Sequence, residues 1–448
     1  MKMKTYLIVG AGRSGIDAAK LLLQLGKDFV LFDGNTSLDT AAVCERIGKP
    51  DCRFILGALG EGDLDGIDVC VTSPGVPLFS DVLRAVAAKG IPIWSEIELA
   101  YRCDKGTLVA ITGTNGKTTT TALTYAIFKA WNDHTLLVGN IEIPYTGLVL
   151  ESVPGGWTVA EISSFQLETM RTVKPKVSAI LNITPDHLDR HGSMEGYIAV
   201  KESITQNQDK DDFCVLNYED PVLRAFGAKA PCRAVFFSSA RPLDEGWFYR
   251  DGAIFLRENG ETTRLLGTDE VNLVGLHNFE NIMAAAAMAH CAGVPLDVIR
   301  AVAKRFVAVE HRIEFVREKD GVKYYNDSKG TNTDAAIKAI DAMPSQTVLI
   351  GGGYDKHADF TDWVARFPGK VKLLILLGQT AKQIAETCDK LGFADYVFAE
   401  TLEEAVTLAH AKAQSGDCVL LSPACASWGM FKNYQQRGTM FKDFVNAL

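Results

Sequence analysis

Val109-Ala-Ile-Thr-Gly-Thr-Asn-Gly-Lys-Thr-Thr-Thr-Thr121 is the stretch from which the rest of the chain is best read. Leu108 to Ile111 is a short apolar run of the kind a buried strand makes. A glycine-containing turn, Thr112 to Gly116, follows, and Lys117 and Thr118 open a helical pattern that runs to Trp131. A strand feeding Gly-Lys-Thr at a helix N-terminus suits a nucleoside triphosphate, because backbone N–H groups and the positive helix end face its phosphates. The lysine adds a point charge at the β/γ-phosphates and the threonine hydroxyl a magnesium ligand. The strict G-x-x-x-x-G-K-[ST] form asks for glycine where the chain has Ile111. The bland alternative is a plain β-turn-helix corner.

N-terminal to it, Tyr6-Leu-Ile-Val9 reads as a strand, Gly10-Ala-Gly-Arg-Ser-Gly15 as a G-x-G-x-x-G turn, and Phe29-Val-Leu-Phe32 as a second strand ending on Asp33. That is a dinucleotide-type βαβ fingerprint. The second nucleotide turn at Gly116-Lys117 argues that the two sites hold different ligands, and that the first binds a phosphate chain. Val69-Cys-Val-Thr72 is another strand; Ser73-Pro-Gly75 is a turn at its C-terminal end, where ligands lie in open α/β sheets, or simply a turn.

The chain has 448 residues, which suggests about three domains. At 47% hydrophobic and 23% charged it is an ordinary soluble composition with no apolar run of membrane-spanning length, and its opening residues, which lead straight into a strand, set the expectation of no signal peptide. Ten scattered cysteines, without C-x-x-C, favour reduced thiols in a cytoplasm over disulfides or structural zinc. A net charge of −9 argues against a nucleic-acid binder.

In the middle of the chain, Trp157-Thr-Val-Ala160 is a strand that Glu161 leaves, a position from which a carboxylate can hold Mg²⁺ beside a triphosphate. Val177 to Leu181 runs into the polar loop Asn182-Ile-Thr-Pro-Asp-His-Leu-Asp-Arg-His191. There His187 fits a metal ligand, a phosphate contact or a solvated loop residue. Lys201 interrupts an apolar helical stretch, and the bland reading is a surface lysine snorkelling out. Asn278 and Asn281 flank the start of an alanine-rich helix, Met283 to Ala292, as caps or as amide readers of a purine. Phe306 to Arg312 looks like a boundary. Beyond it, strands at 322–326, 347–350, 373–377 and 418–421 each run into a polar or glycine-rich loop, which implies a mostly parallel α/β sheet with functional groups at the strand C-termini.

The motifs Thr112-Gly-Thr-Asn-Gly-Lys-Thr-Thr-Thr120, Glu161-Ile-Ser-Ser164, Asn182-x-x-x-Asp-His-Leu-Asp189, Lys201, Gly275-x-His-Asn-x-x-Asn281, His311-Arg312, Asn326-Asp-Ser-Lys-Gly-Thr-Asn332 and Leu421-Ser-Pro-Ala-Cys-Ala-Ser427 resemble, in order, those of the Mur ligase family. The shortened phosphate loop with Ile111 fits that family. The Asp-Ser-Lys-x-Thr-Asn stretch points to its D-glutamate-adding branch; the Asp-Asn-Pro-Arg of the diamino-acid adders is absent.

The resemblance implies three α/β domains: a Rossmann-like UDP-substrate domain at 1–103, a P-loop-like ATP domain at 104–309 and a Rossmann-like amino-acid domain at 310–448 that closes over ATP. It implies ATP-dependent amide formation between UDP-N-acetylmuramoyl-L-alanine and D-glutamate, through an acyl phosphate and a tetrahedral intermediate. By the same resemblance ATP meets Gly113, Thr114, Asn115, Gly116, Lys117, Thr118, Thr119, Asn278, Asn281, Arg312 and Asp327. Two Mg²⁺ ions meet Thr118, Glu161, His187 and Lys201, the last as a carbamate formed from CO2. Lys117, His187, Lys201 and Lys329 carry catalysis. The UDP substrate meets Ser14, Gly15, Asp33, Thr36, Ser73, Asn140 and His187, and D-glutamate meets Thr331, Lys356, Ser427 and Tyr434, where the family has phenylalanine. A cytoplasmic monomer, binding neither nucleic acid nor membrane, is expected. Competing readings are folylpolyglutamate synthase, which should lack the N-terminal βαβ domain; an NAD-dependent oxidoreductase, which leaves Gly116-Lys117 and Lys201 unexplained; and a non-catalytic nucleotide-binding module.

Overall fold

Three α/β sheets follow one another along the chain in the computed structural model, which describes residues 4–448 except 142, 274, 308–309 and 355–357, and of Asp189 only the backbone. The first sheet is all parallel, in the order Arg53–Leu56, Asp28–Asp33, Thr5–Val9, Val69–Thr72, Ile93–Ser95. Its residues alternate between two cores: Leu7, Val9, Val30 and Phe32 face one, and Tyr6, Ile8, Phe29 and Leu31 the other. Burial on both faces is why these strands read as unbroken apolar runs. Helix Arg13–Gln24 packs so closely on the first strand that a Cβ on Gly15 would stand 1.8 Å from the carbonyl oxygen of Gly10. The obstacle is backbone and cannot swing aside. Gly15→Ala is expected to destabilise the unit by about 3 kcal/mol, seen as a lowered urea midpoint; an unchanged midpoint would contradict this packing.

The nine-stranded central sheet places Thr107–Thr112 between Val177–Ile180 and Trp157–Glu161, all parallel. It ends in three strands the sequence reading passed over, Gly246–Arg250, Ala253–Glu258 and Glu261–Gly267, which pair antiparallel. Their turns carry positive φ at Asp251 and Gly252 and at Asn259 and Gly260. Asp-Gly and Asn-Gly are the residue pairs that two-residue hairpins with two positive φ angles select, so this signal was in the sequence. The third sheet has six strands with Cys418–Leu421 central and Glu314–Lys319 antiparallel at one edge.

The chain divides into two compact units, Met1–Thr268 with Glu280–Lys304, and Asp269–Phe279 with Arg305–Leu448. Within the first, the short helix Glu96–Tyr101 joins the first two sheets through two buried glutamates. Burial alone would raise the Glu98 carboxyl, but hydrogen bonds from the Thr172 hydroxyl (2.6 Å), the Arg171 and Thr172 N–H groups and Arg102 outweigh it and hold the group below its usual range. Glu96 is the opposite case. Only its Oε1 is bonded, by the Thr146 N–H and hydroxyl, Oε2 is buried without a partner among the described residues, and burial lifts the group from 4.5 to about 7. Between those values the folded chain keeps a proton that the unfolded chain releases, so this group's contribution falls as pH rises through that window and the penalty is complete above it. Glu96→Gln is therefore expected to stabilise the protein at pH 8 by up to about 3 kcal/mol and to lose that advantage near pH 5. Urea unfolding at the two pH values checks this; a difference independent of pH would refute it.

Candidate active site

The phosphate-loop reading rests on how Thr112 to Gly116 is pinned. Gly113 and Gly116 have φ of 148° and 83°. A Cβ on Gly116 would stand 2.5 Å from Asn281 Oδ1, which also accepts the Thr120 hydroxyl at 3.1 Å. Asn281 and Asn278 lie inside the helix Leu276–Cys291, which starts seven residues earlier than the sequence suggested, so neither caps it. The polar loop after Val177–Ile180 braces the other side. The Thr114 N–H donates to Asn182 O (2.9 Å) and the Asn115 N–H to Asn182 Oδ1 (2.8 Å), while the Thr114 hydroxyl meets Thr184 O at 3.1 Å and Tyr197 Oη at 3.0 Å. Two motifs separated by some 70 positions are thus one loop cluster.

Two lysines converge on it. Lys117 Nζ donates to Gly113 O (2.9 Å) and Thr114 O (2.7 Å), and Lys201 Nζ to the same Gly113 O (2.8 Å) and to Thr112 Oγ1 (3.1 Å). Lys201 is 1% exposed, so it is no snorkelling surface residue. Burial first, then the neighbouring Lys117 charge, push its amine well below the usual 10.5, against the pull of Asp186 and Glu161. A buried amine driven toward its neutral form is a nucleophile.

Glu161 ends its strand 2% exposed. Its Oε1 accepts Asn140 Nδ2 at 2.9 Å, and its Oε2 is buried with no hydrogen-bond partner among the described residues. An orphaned carboxyl oxygen is a donor that a hard divalent cation takes, and the Thr118 hydroxyl, on the buried first turn of the helix that follows the phosphate loop, is of the same oxygen class. His187 stands half exposed at φ 52°, its ring 4.8 Å from that of Phe165 and Nε2 3.5 Å from Asp186. His191, left out of the sequence reading, is buried against Ser164 Oγ (3.0 Å) and Glu168.

In the first sheet a cavity of about 590 Å³ opens at the strand C-termini, lined by Gly10, Asp33, Gly57, Gly75 and Val76 among others. Ser73 Oγ lies 3.4 Å from Gly10 O on its glycine turn, Ser14 is in the first turn of the following helix, and Thr36 borders Gly57. Both Asp33 oxygens are engaged, by the Ala11 N–H (2.8 Å) and the Asn35 N–H (2.9 Å), so the residue also builds the turn.

The second unit holds the remaining expected positions. His311 and Ile313 both adopt left-handed φ, 65° and 46°, and bracket Arg312, whose Nε is buried without a partner among the described residues. The corner is held by the Ile313 N–H on Asp327 Oδ1 (3.3 Å) and the Lys329 N–H on His311 O (3.0 Å). Burial pushes Asp327 up to about 7, with Arg312 and the Ser422 hydroxyl pulling it down. Lys329 Nζ lies 5.5 Å over the Tyr434 ring; Tyr434 opens the C-terminal helix, and its carbonyl accepts Ser328 Oγ at 2.8 Å. Thr331 follows Lys329 in the same loop, and Ser427 is 4% exposed. Arg437, missed by sequence reading, is buried and donates to Ser328 O (2.7 Å), Ser328 Oγ (2.9 Å) and Cys425 O (3.2 Å), tying these loops together. Lys356 lies outside the described residues.

Three family matches run along the chain: Mur ligase MurD-like N-terminal domain at residues 4–95, Mur ligase middle domain at 111–289, and Mur ligase glutamate ligase domain at 311–425. A UDP-N-acetylmuramoylalanine--D-glutamate ligase of Lachnospira eligens is 53% identical over 449 residues, covering 100% of both chains. The protein of the same name from Lachnoclostridium phytofermentans is 48% identical, covering 99% of this chain and 98% of that one. Among solved structures, the MurF ligase of Thermotoga maritima in complex with ADP superposes with a TM-score of 0.62 at 17% identity, over 100% of this chain and 96% of that one, a likeness of fold. Identity above one half along the whole length, over a phosphate loop and a buried lysine arranged as described, is common descent: the chain belongs to the Mur ligase family.

Proposed function

We propose that this protein joins D-glutamate to UDP-N-acetylmuramoyl-L-alanine at the expense of ATP, releasing ADP and phosphate. The observation that carries the chemistry is the pair Lys117 and Lys201 on one carbonyl at the mouth of the phosphate loop; the substrates are those in the names of its relatives. A carboxylate resists attack by an amine because its charge is delocalised. Transfer of the γ-phosphoryl group to a carboxylate oxygen gives an acyl phosphate. The amine of D-glutamate adds to that carbonyl carbon, and the tetrahedral intermediate expels phosphate as the amide forms. The protein's part is positioning and charge stabilisation.

In this reading Gly113 to Thr119, with Asn278, Asn281, Arg312 and Asp327, bind ATP, and Lys117 meets its β/γ-phosphates. Ser14, Gly15, Asp33, Thr36, Ser73, Asn140 and His187 bind the UDP substrate; Thr331, Lys356, Ser427 and Tyr434 bind D-glutamate beside Lys329. The three substrates fall to segments 1–103, 104–309 and 310–448. Glu161, Thr118, His187 and a Lys201 carbamate would hold Mg²⁺, which supplies charge neutralisation when bound; the unpaired Glu161 oxygen supports that fit. The protein works as a cytoplasmic monomer; no described helix is long and apolar enough to cross a membrane.

The test is phosphate release with an amino-acid panel. Release should require ATP, UDP-N-acetylmuramoyl-L-alanine and D-glutamate together; equal release with L-glutamate, or amide formation without ATP consumption, would overturn the assignment.

A further inference from the structure

We infer that Arg190 is a positioning residue that fixes the span between the UDP-substrate cavity and the phosphate-loop site, an inference that rests on the function proposed above. Its side chain is 10% exposed and its whole guanidinium is engaged. Nε and Nη2 form a fork on Glu168, at 3.2 and 2.6 Å, in the second sheet's half of the unit. Nη1 donates to Pro74 O at 2.9 Å and Nη2 to Val76 O at 3.3 Å, in the turn that rims the cavity of the first sheet. Its flat face lies 4.1 Å over Phe165, whose ring also packs on His187 at 4.8 Å.

One rigid plane therefore touches the rim of the first-sheet cavity and the aromatic support of His187, in the polar loop that braces the phosphate loop. A substrate anchored by its uridine diphosphate, with its carboxylate near Lys117 and Lys201, must cross this region. Its reach is fixed, so the distance between the two ends has to be fixed by the protein, and misplacement by an ångström is enough to cost orders of magnitude in rate. Planarity matters here: a lysine can offer its charge to Glu168 but cannot make the fork, reach both carbonyls and stack.

Arg190→Gln and Arg190→Lys separate this role from simple stabilisation. Steady-state kinetics for all three substrates, calorimetric affinity for UDP alone and a melting curve are measured on each. The expected result is a KM for UDP-N-acetylmuramoyl-L-alanine raised tenfold or more with a lower kcat. The affinity for UDP and the KM for ATP and D-glutamate should stay within twofold, and the lysine variant should fall between. If UDP alone weakens by the same factor as the full substrate, or if only the melting temperature moves, the inference is wrong. Should the glutamine variant fail to fold, the lysine variant decides, and an unchanged KM for the UDP substrate refutes the role. An inactive wild type would instead sink the proposed function.

Discussion

Lys201→Ala is expected to lose on the order of 10³-fold in kcat while folding normally, and short carboxylates such as formate or acetate should restore part of that loss. The buried amine shares the Gly113 carbonyl with Lys117. Burial, and after it repulsion from the Lys117 charge (about 4 kcal/mol for two unit charges ~4 Å apart at an effective dielectric of 20), hold the Lys201 amine well below its usual range. A neutral amine adds CO2, gaining a carbamate and releasing a proton, which turns a group that repels magnesium into one that binds it. Alanine would remove the proposed carbamate but leave room for a small carboxylate in its place. Full activity of the alanine variant would end the carbamate reading. Linkage supplies a second readout. The folded amine titrates below the unfolded one, so between its depressed value and 10.5 the unfolded chain binds more protons and CO2-free wild type gains stability as pH rises. The alanine variant should lack that slope in a urea series.

Those properties of Lys201 illustrate what sequence could and could not disclose. The phosphate loop and the glycine turn were legible because each is local: strand, glycine and helix start within a dozen residues. The parallel strands were legible because burial on two faces leaves an uninterrupted apolar run. The burial of Lys201 was not, since it depends on Thr112 and Gly113 nearly ninety positions away. Asp33 read as a ligand contact, yet both its oxygens hold backbone N–H groups of the turns around it. Gly15 read the same way, and the structure gives it a packing reason. Glu96, Glu98, Arg190 and Arg437 were silent because a buried charge looks like a surface one until its partners, drawn from distant loops, are known.

Glu161→Gln is expected to reverse sign between stability and activity. The amide matches the carboxyl in shape and keeps an oxygen for the Asn140 hydrogen bond, so packing is preserved. What disappears is a charged oxygen buried without a partner among the described residues. The amide nitrogen that takes its place is also unpartnered but carries no charge, and a buried charge costs more than a buried dipole, so in metal-free buffer the variant should be the more stable of the two by about 1 kcal/mol. In magnesium at a hundred times its dissociation constant the wild type should gain about 2.7 kcal/mol from binding, and the variant nothing, so the order of the two melting curves inverts. Activity should fall on the order of 10³-fold, because the charge proposed to anchor the cation is gone. A merely structural glutamate would show the opposite pattern: the variant would be less stable in both buffers and would respond to magnesium as the wild type does. Parallel magnesium titrations of the two proteins by thermal melting, without nucleotide, decide between these, and an equal magnesium shift in both would remove Glu161 from the metal site.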